Sequence, residues 1–333
     1  MKKAKLGMLV FVVLGLCIAF SVQAQDRTSA GSAAQSLDGK GLVVGITVQG
    51  TEHQWNINCY NGAIERAKQL GAQVIAFDAE NRQEKQLSDV RTLVARKVNV
   101  IAVILGMADS LRPGLKEARD RGIAVVSADF AVPESICNVG SNNFTAMSEL
   151  VLKMVSDLRG TGEVGVFYRP GTPVGTLRRN VFNTVLASFP GIKVVAEEAY
   201  IFPGTVPDAY NKAQDMLRAH PEIDAFWSVF DMPMIGAAQA IADMGRQKEV
   251  RVYGFDGDPT AMKMLMDTNS AYGATVAQQP FRIGQILAET AIMAARGQQL
   301  PAMRFVPHIL VDRDNVEEVW NTLPQFEAQR KKK

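Results

Sequence analysis

Short apolar runs rich in β-branched residues alternate with helical patterns from Leu42 onward, and after Val139-Gly140-Ser141-Asn142-Asn143 the alternation begins again. This double alternation constrains the chain more than any motif does. A strand made almost entirely of apolar residues must be covered on both faces, and helices flanking a parallel sheet do that. The first such strand is expected at 42–48; Ile57, Tyr60, Ile64 and Ala67 then recur at helical spacing, and Gly71 stops that helix. Further strands are expected at 74–77, 98–105 and 123–126. Leu87, Val90, Leu93 and Val94 mark one helix between them and 108–121 forms another. The second round predicts a helix through Leu150, Val151, Met154 and Leu158. Its strands fall at 162–168, 192–199, 225–229, 250–255, 271–277 and 306–311, and its helices at 176–188, 208–219, 232–244 and 281–295. The fold class is therefore α/β: two Rossmann-like lobes in tandem, each a parallel sheet with helices on both faces.

The 333 residues suffice for two such cores. The formal charge of +2 includes Lys2, Lys3 and Lys5, and the remainder is near −1, so there is no basic footprint for a nucleic acid. Those lysines precede an apolar run from Leu6 to Val22, and Val22-Gln23-Ala24 offers small residues for cleavage before Gln25. Residues 1–24 thus have the layout of an export signal. Two rivals are a membrane anchor, for which the run is short, and a lipoprotein, for which Leu16 before Cys17 is bulky. Residues 25–40 are small, polar and aperiodic, as expected of a flexible tail, and residues 321–333 are expected as a C-terminal tail. Cys59 and Cys137 are expected as two buried thiols. His53, His220 and His308 lie too far apart in sequence to suggest a metal pair, and no metal or other cofactor is expected.

One stretch, Val250 to Thr260, carries the sharpest chemical question. Val250, Val252, Tyr253 and Phe255 form an apolar strand, and Asp256 falls at its carboxyl end, where open α/β sheets bind ligands. Asp256, Asp258 and Thr260 resemble the Asp-x-Asp-x-Thr nucleophile motif of haloacid-dehalogenase-type phosphatases. That motif needs later strands ending in acids to complete a metal site, and none follows. Asp258 and Thr260 fit the turn and helix start, with Pro259 at the first helical position. Gly160-Thr161-Gly162-Glu163-Val164-Gly165 spells GxGxxG, but it ends a helix and opens a strand, the reverse of a nucleotide-binding turn.

Other strand ends carry polar or aromatic groups: Gln49 with His53, Trp55 and Asn56; Asp129 with Phe130; Arg169; Asp231 beside Trp227 and Phe230; Asp256; and Gln278. Carboxylates accept hydroxyl protons, arginine and amides donate, and aromatic rings cover apolar faces. This is a set of groups for a neutral polyhydroxylated solute.

Asn61-Gly62-Ala63, His220-Pro221-Glu222-Ile223-Asp224, Val252-Tyr253-Gly254-Phe255-Asp256-Gly257 and Ala274-Thr275-Val276-Ala277-Gln278 occur in an order that resembles the type I periplasmic solute-binding proteins of ABC importers. The likeness is to the ribose-binding-like sugar branch and covers residues 41–315. It implies an N-terminal lobe of 41–141 plus 279–306, a C-terminal lobe of 142–278 plus 307–320, and a hinge of three crossovers. It also implies a monomer in the periplasm that closes on a sugar or polyol and presents it to an ABC permease and its ATPase, without enzymatic chemistry. By the same resemblance Gln49, His53, Trp55 and Asn56 match the first-lobe ligand region. Asp129 matches the acid of an Asp-Arg pair, Arg178 (with Arg179 beside it) an arginine of a second-lobe helix, and Asp256 and Gln278 an acceptor and an amide. Phe130 stands where the pair has arginine, and Phe230, before Asp231, where asparagine is common. These departures point away from ribose, toward a ligand with fewer hydroxyls, a deoxy or branched sugar, or a polyol with an apolar face. A sensory co-receptor using the same cleft fits the same residues.

Overall fold

The computed structural model describes residues 37–331. The segment expected as an export signal, and most of the tail after it, lie outside the described residues. In chain order the elements begin β1 (Val43–Val48), α1 (Gln54–Gln69), β2 (Gln73–Asp78), α2 (Gln83–Ala95), β3 (Val100–Ile104), α3 (Ala108–Asp120), β4 (Ala124–Ala128) and β5 (Asn138–Ser141). They continue with α4 (Asn143–Asp157), β6 (Gly162–Tyr168), α5 (Pro173–Leu186), β7 (Ile192–Ala199), α6 (Thr205–Ala219), β8 (Ile223–Ser228), α7 (Asp231–Asp243), β9 (Arg251–Tyr253), α8 (Pro259–Met266) and β10 (Tyr272–Ala277). The chain closes with α9 (Pro280–Ala295), β11 (Met303–Val306), β12 (Ile309–Val311), α10 (Val316–Thr322), a 3₁₀ turn at Pro324–Phe326 and α11 (Glu327–Arg330).

Two six-stranded sheets result, in the orders β11-β5-β4-β3-β1-β2 and β12-β10-β9-β8-β6-β7. All pairs are parallel except β12, which runs antiparallel to β10. The two orders correspond strand for strand, so β4 and β9 hold equivalent places, as do β1 and β6. Every residue of β3 is buried, as a strand covered on both faces requires. Helix α9 follows the second sheet's β10 in sequence but packs with the first lobe: Ile283, Leu287, Ala288 and Ile292 join the cluster of Val44, Ile46, Cys59 and Ala63. A Cβ at Gly284 would stand 2.0 Å from the Cys59 carbonyl oxygen, so only glycine lets α9 come this close to α1.

The strand expected at 306–311 is two strands on two sheets. β11 pairs with β5, β12 pairs with β10, and Pro307-His308 carries the chain from one to the other. Proline has no N–H for a ladder bond and breaks the run there. Strand β5, too short for a periodic signal, completes the first sheet. Residues 37–40 already pack on the first lobe, with the Gly39 N–H donating to Leu70 O at 2.7 Å. Residues 321–331 are not a tail either. Leu323 and Phe326 are buried, and the Phe326 ring stacks on Trp320 at 4.8 Å between centroids. These apolar anchors hold the last turns to the second lobe. Cys59 and Cys137 are both buried and unpaired.

Candidate functional site

The carboxyl ends of the two sheets face one cavity of about 590 Å³, its open mouth included. The first lobe contributes Gln49, His53, Trp55 and Asn56 after β1, Leu105 after β3 and Asp129 after β4. The second contributes Arg169, Thr172 and Val174 after β6, Tyr200, Phe202 and Thr205 after β7, Phe230, Met232 and Pro233 after β8, and Asp256 after β9.

Arg178, on α5, lies at the back of this site and is wholly buried. Its Nη2 is 3.6 Å from an Asp129 carboxylate oxygen of the first lobe, and its Nη1 is 3.5 Å from Asp256 Oδ1 of the second. Nε donates to Asn143 Oδ1 at 2.8 Å and Nη1 to Val229 O at 2.9 Å. The guanidinium lies over the Phe255 ring at 3.7 Å, with Phe230 at 5.0 Å. A buried cation needs such compensation, because desolvation alone would cost several kcal/mol. Asn143, just past the first crossover, donates in turn to Asp129 Oδ1 at 3.2 Å. Gln278 Nε2, at the second crossover, donates to Asp256 Oδ1 at 2.9 Å. Burial pushes both carboxyls above the usual carboxylate range, against the pull of the Arg178 charge.

Both acids also have unusual backbones. Asp129 has φ +43° and Asp256 φ +140°, conformations that side-chain-bearing residues seldom adopt. Each is tied to the next strand, Asp129 N–H to Val139 O and Asp256 N–H to Val276 O. Strain of this kind concentrates at functional positions.

Several buried polar atoms have no hydrogen-bond partner among the described residues: His53 Nε2, Trp55 Nε1, Arg178 Nη2 and Gln278 Oε1. Such atoms are rare and call for an explanation, and here they gather around one site. His53 Nε2 is 3.7 Å from Asp258 of the other lobe, and burial pushes its pKa below the ordinary value despite that carboxylate.

Of the residues singled out by sequence, Gln49, His53, Trp55, Asn56, Asp129, Arg169, Phe230 and Asp256 line the cavity. Arg178 and Gln278 stand behind it, holding the acids. Phe130 and Asp231 are elsewhere, as are Trp227, stacked on Phe182 in the second-lobe core, and Arg179, paired with Glu197. Phe130 is buried with Leu111, Leu115 and Val132 in a separate apolar cluster, because the turn at Asp129 sends the next side chain into the layer between α3 and the sheet. Asp231 is buried as a brace at the start of α7. It accepts from Tyr272 Oη at 2.8 Å, Thr275 Oγ1 at 2.7 Å and Asp258 N–H at 2.8 Å. A Cβ at Gly254 would stand 2.2 Å from Asp231 Oδ1, which is why glycine interrupts that strand. Asp258 caps α8, accepting from Thr260 N–H at 2.7 Å. Tyr200 and Phe202 were missed, although they sit at a strand's carboxyl end like the others. Asn143 was missed because a pair of asparagines at a helix start reads as a cap, the role that Asn142 fills by accepting from Thr145 N–H.

Two α/β lobes meeting over a cavity that both line, tied across it by one arginine and two acids, define a two-lobed solute-binding protein. The sequence profile of the periplasmic binding protein domain matches residues 44–299. The chain belongs to that family. It is 27% identical over 268 residues to the ribose import binding protein of Bacillus subtilis (strain 168), covering 78% of this chain and 84% of the relative. The crystal structure of an ABC sugar transporter subunit from Rhodobacter sphaeroides 2.4.1 is similar at a TM-score of 0.81 and 37% identity, covering 83% of this chain and 99% of that one. An ABC transporter solute-binding protein from Agrobacterium vitis, solved with bound allitol, is similar at a TM-score of 0.83 and 34% identity, covering 86% and 100%.

Proposed function

We propose that this protein is the periplasmic receptor of an ABC importer, closing its lobes on a neutral sugar or polyol and presenting it to the permease without chemical change. The observation that carries this reading is the pair Asp129 and Asp256, one from each lobe, held at the cavity wall by Arg178. Carboxylates so placed accept hydroxyl protons from one ligand on both sides, so the ligand favours the closed state by its differential affinity for it. Trp55, Phe202 and Phe230 supply apolar faces for the carbon skeleton. The relatives' ligands support the class: one imports ribose and another holds allitol. The hinge is formed by the three crossovers near Asn142, Gln279 and Pro307, and the export signal expected at 1–24 delivers the chain to the periplasm.

The test is a thermal-shift screen of the mature protein against pentoses, hexoses and polyols. A ligand at a hundred times its Kd stabilises by about 2.7 kcal/mol. No shift across that panel would sink the reading.

A further inference from the structure

The cavity contains a second arginine whose situation is the reverse of Arg178's. Arg169 lines the cavity at the end of β6, half-buried, with its guanidinium over the Phe202 ring at 4.6 Å. Among the described residues no carboxylate lies within 4.0 Å of it, and its side chain makes no hydrogen bond. Burial lowers its pKa, and its charge reaches the buried Tyr200 phenol beside it. Arg178 gives Nε and Nη1 to Asn143, Val229 and Asp256 and keeps only Nη2 without a hydrogen bond, 3.6 Å from Asp129; Arg169, a cavity-lining residue, has its whole planar set of N–H groups free of protein partners among the described residues.

We infer that Arg169 is a second arginine that touches the ligand, gripping its hydroxyl oxygens at the end of the cavity away from the hinge, while Arg178 holds the two acids at the other end. The inference rests on the sugar-or-polyol reading above and adds a specificity contact to it. In the second sheet β9 and β6 are separated by β8, so the backbones that carry Asp256 and Arg169 stand two strand spacings, roughly 10 Å, apart, and the two side chains meet a ligand at different points along the cavity.

Calorimetric titration tests this with ribose, xylitol and allitol as neutral probes and ribonate as an acid. In Arg169→Gln the tightest neutral probe is expected to bind about ten- to a hundredfold more weakly, the cost of hydrogen bonds from a charged donor. The ligand-free unfolding midpoint should stay in place, and Arg169→Lys should recover part of the loss. Wild-type binding of a neutral probe with an unaffected Arg169→Gln overturns this inference alone, as does tighter binding of ribonate than of ribose. Wild-type silence toward every neutral probe overturns the sugar reading and this inference together.

Discussion

Asp129 and Asp256 are the same residue in two lobes. Each follows an equivalent strand, each has a positive φ, each donates its N–H to the neighbouring strand, and both face Arg178. The structural repeat therefore extends to the ligand site, and a single guanidinium lies where the two halves meet.

That arrangement makes Arg178 a stability residue as well as a site residue. Arg178→Leu leaves two carboxylates buried without their cation, which typically costs about 3–5 kcal/mol. Urea unfolding of the ligand-free protein should show a loss of this size. Arg178→Lys should lose much of the same, because one ammonium cannot occupy the positions of two guanidinium nitrogens. A change below about 1 kcal/mol in the leucine variant would contradict the bridge.

Asp256→Asn keeps the shape of the side chain and removes its charge as an acceptor. The ligand should bind about ten- to a hundredfold more weakly, as for a lost charge-assisted hydrogen bond. Isothermal titration measures this directly. Far-ultraviolet circular dichroism should stay unchanged, which separates a binding defect from a folding one.

His53 makes stability depend on pH. Its folded pKa is lowered from 6.5, burial outweighing the opposite pull of Asp258. Below the unfolded value the unfolded state then binds more protons than the folded one, so this contribution is present above pH 6.5 and is lost as pH falls through the folded pKa. The buried acids with raised pKa slope the other way, so the difference between proteins is the informative quantity. His53→Gln should flatten the acid-side loss relative to wild type in chemical unfolding at pH 5 to 7.5. Parallel curves would show that His53 does not titrate on unfolding.

The C-terminal turns can be tested through Phe326. It is buried against Trp320, and it lines a small second cavity with His53, Trp55 and Asp258. Phe326→Ala should destabilise the protein by about 3 kcal/mol, in the range for a buried phenylalanine. Removal of a solvated tail would cost nothing measurable, so the unfolding midpoint decides between the two.

The sheets and most site positions were legible in the sequence because two signals are local: apolar runs alternating with helical periodicity, and polar residues at the runs' carboxyl ends. What was not legible depends on neighbours in space. Asp231 and Asp256 look alike in sequence, yet three donors from β10 and the β9–α8 turn claim Asp231 as a brace. Phe130 follows a cavity acid, but the left-handed turn at Asp129 turns it into the core. Arg178 matched a binding position, and only the positions of Asp129 and Asp256 around it show that it also holds the two acids in place. The break at Pro307 was visible as a proline, but not that the chain changes sheets there.

That change of sheet bears on how the molecule is assembled. The first lobe's β11 and α9 are encoded after five strands of the second, so neither lobe is one continuous piece of chain. A ribosome has made nearly the whole second lobe before the first can close its sheet. Domains that finish in order of synthesis can fold as they emerge; the first lobe instead stays without its last helix and edge strand until most of the second has been made.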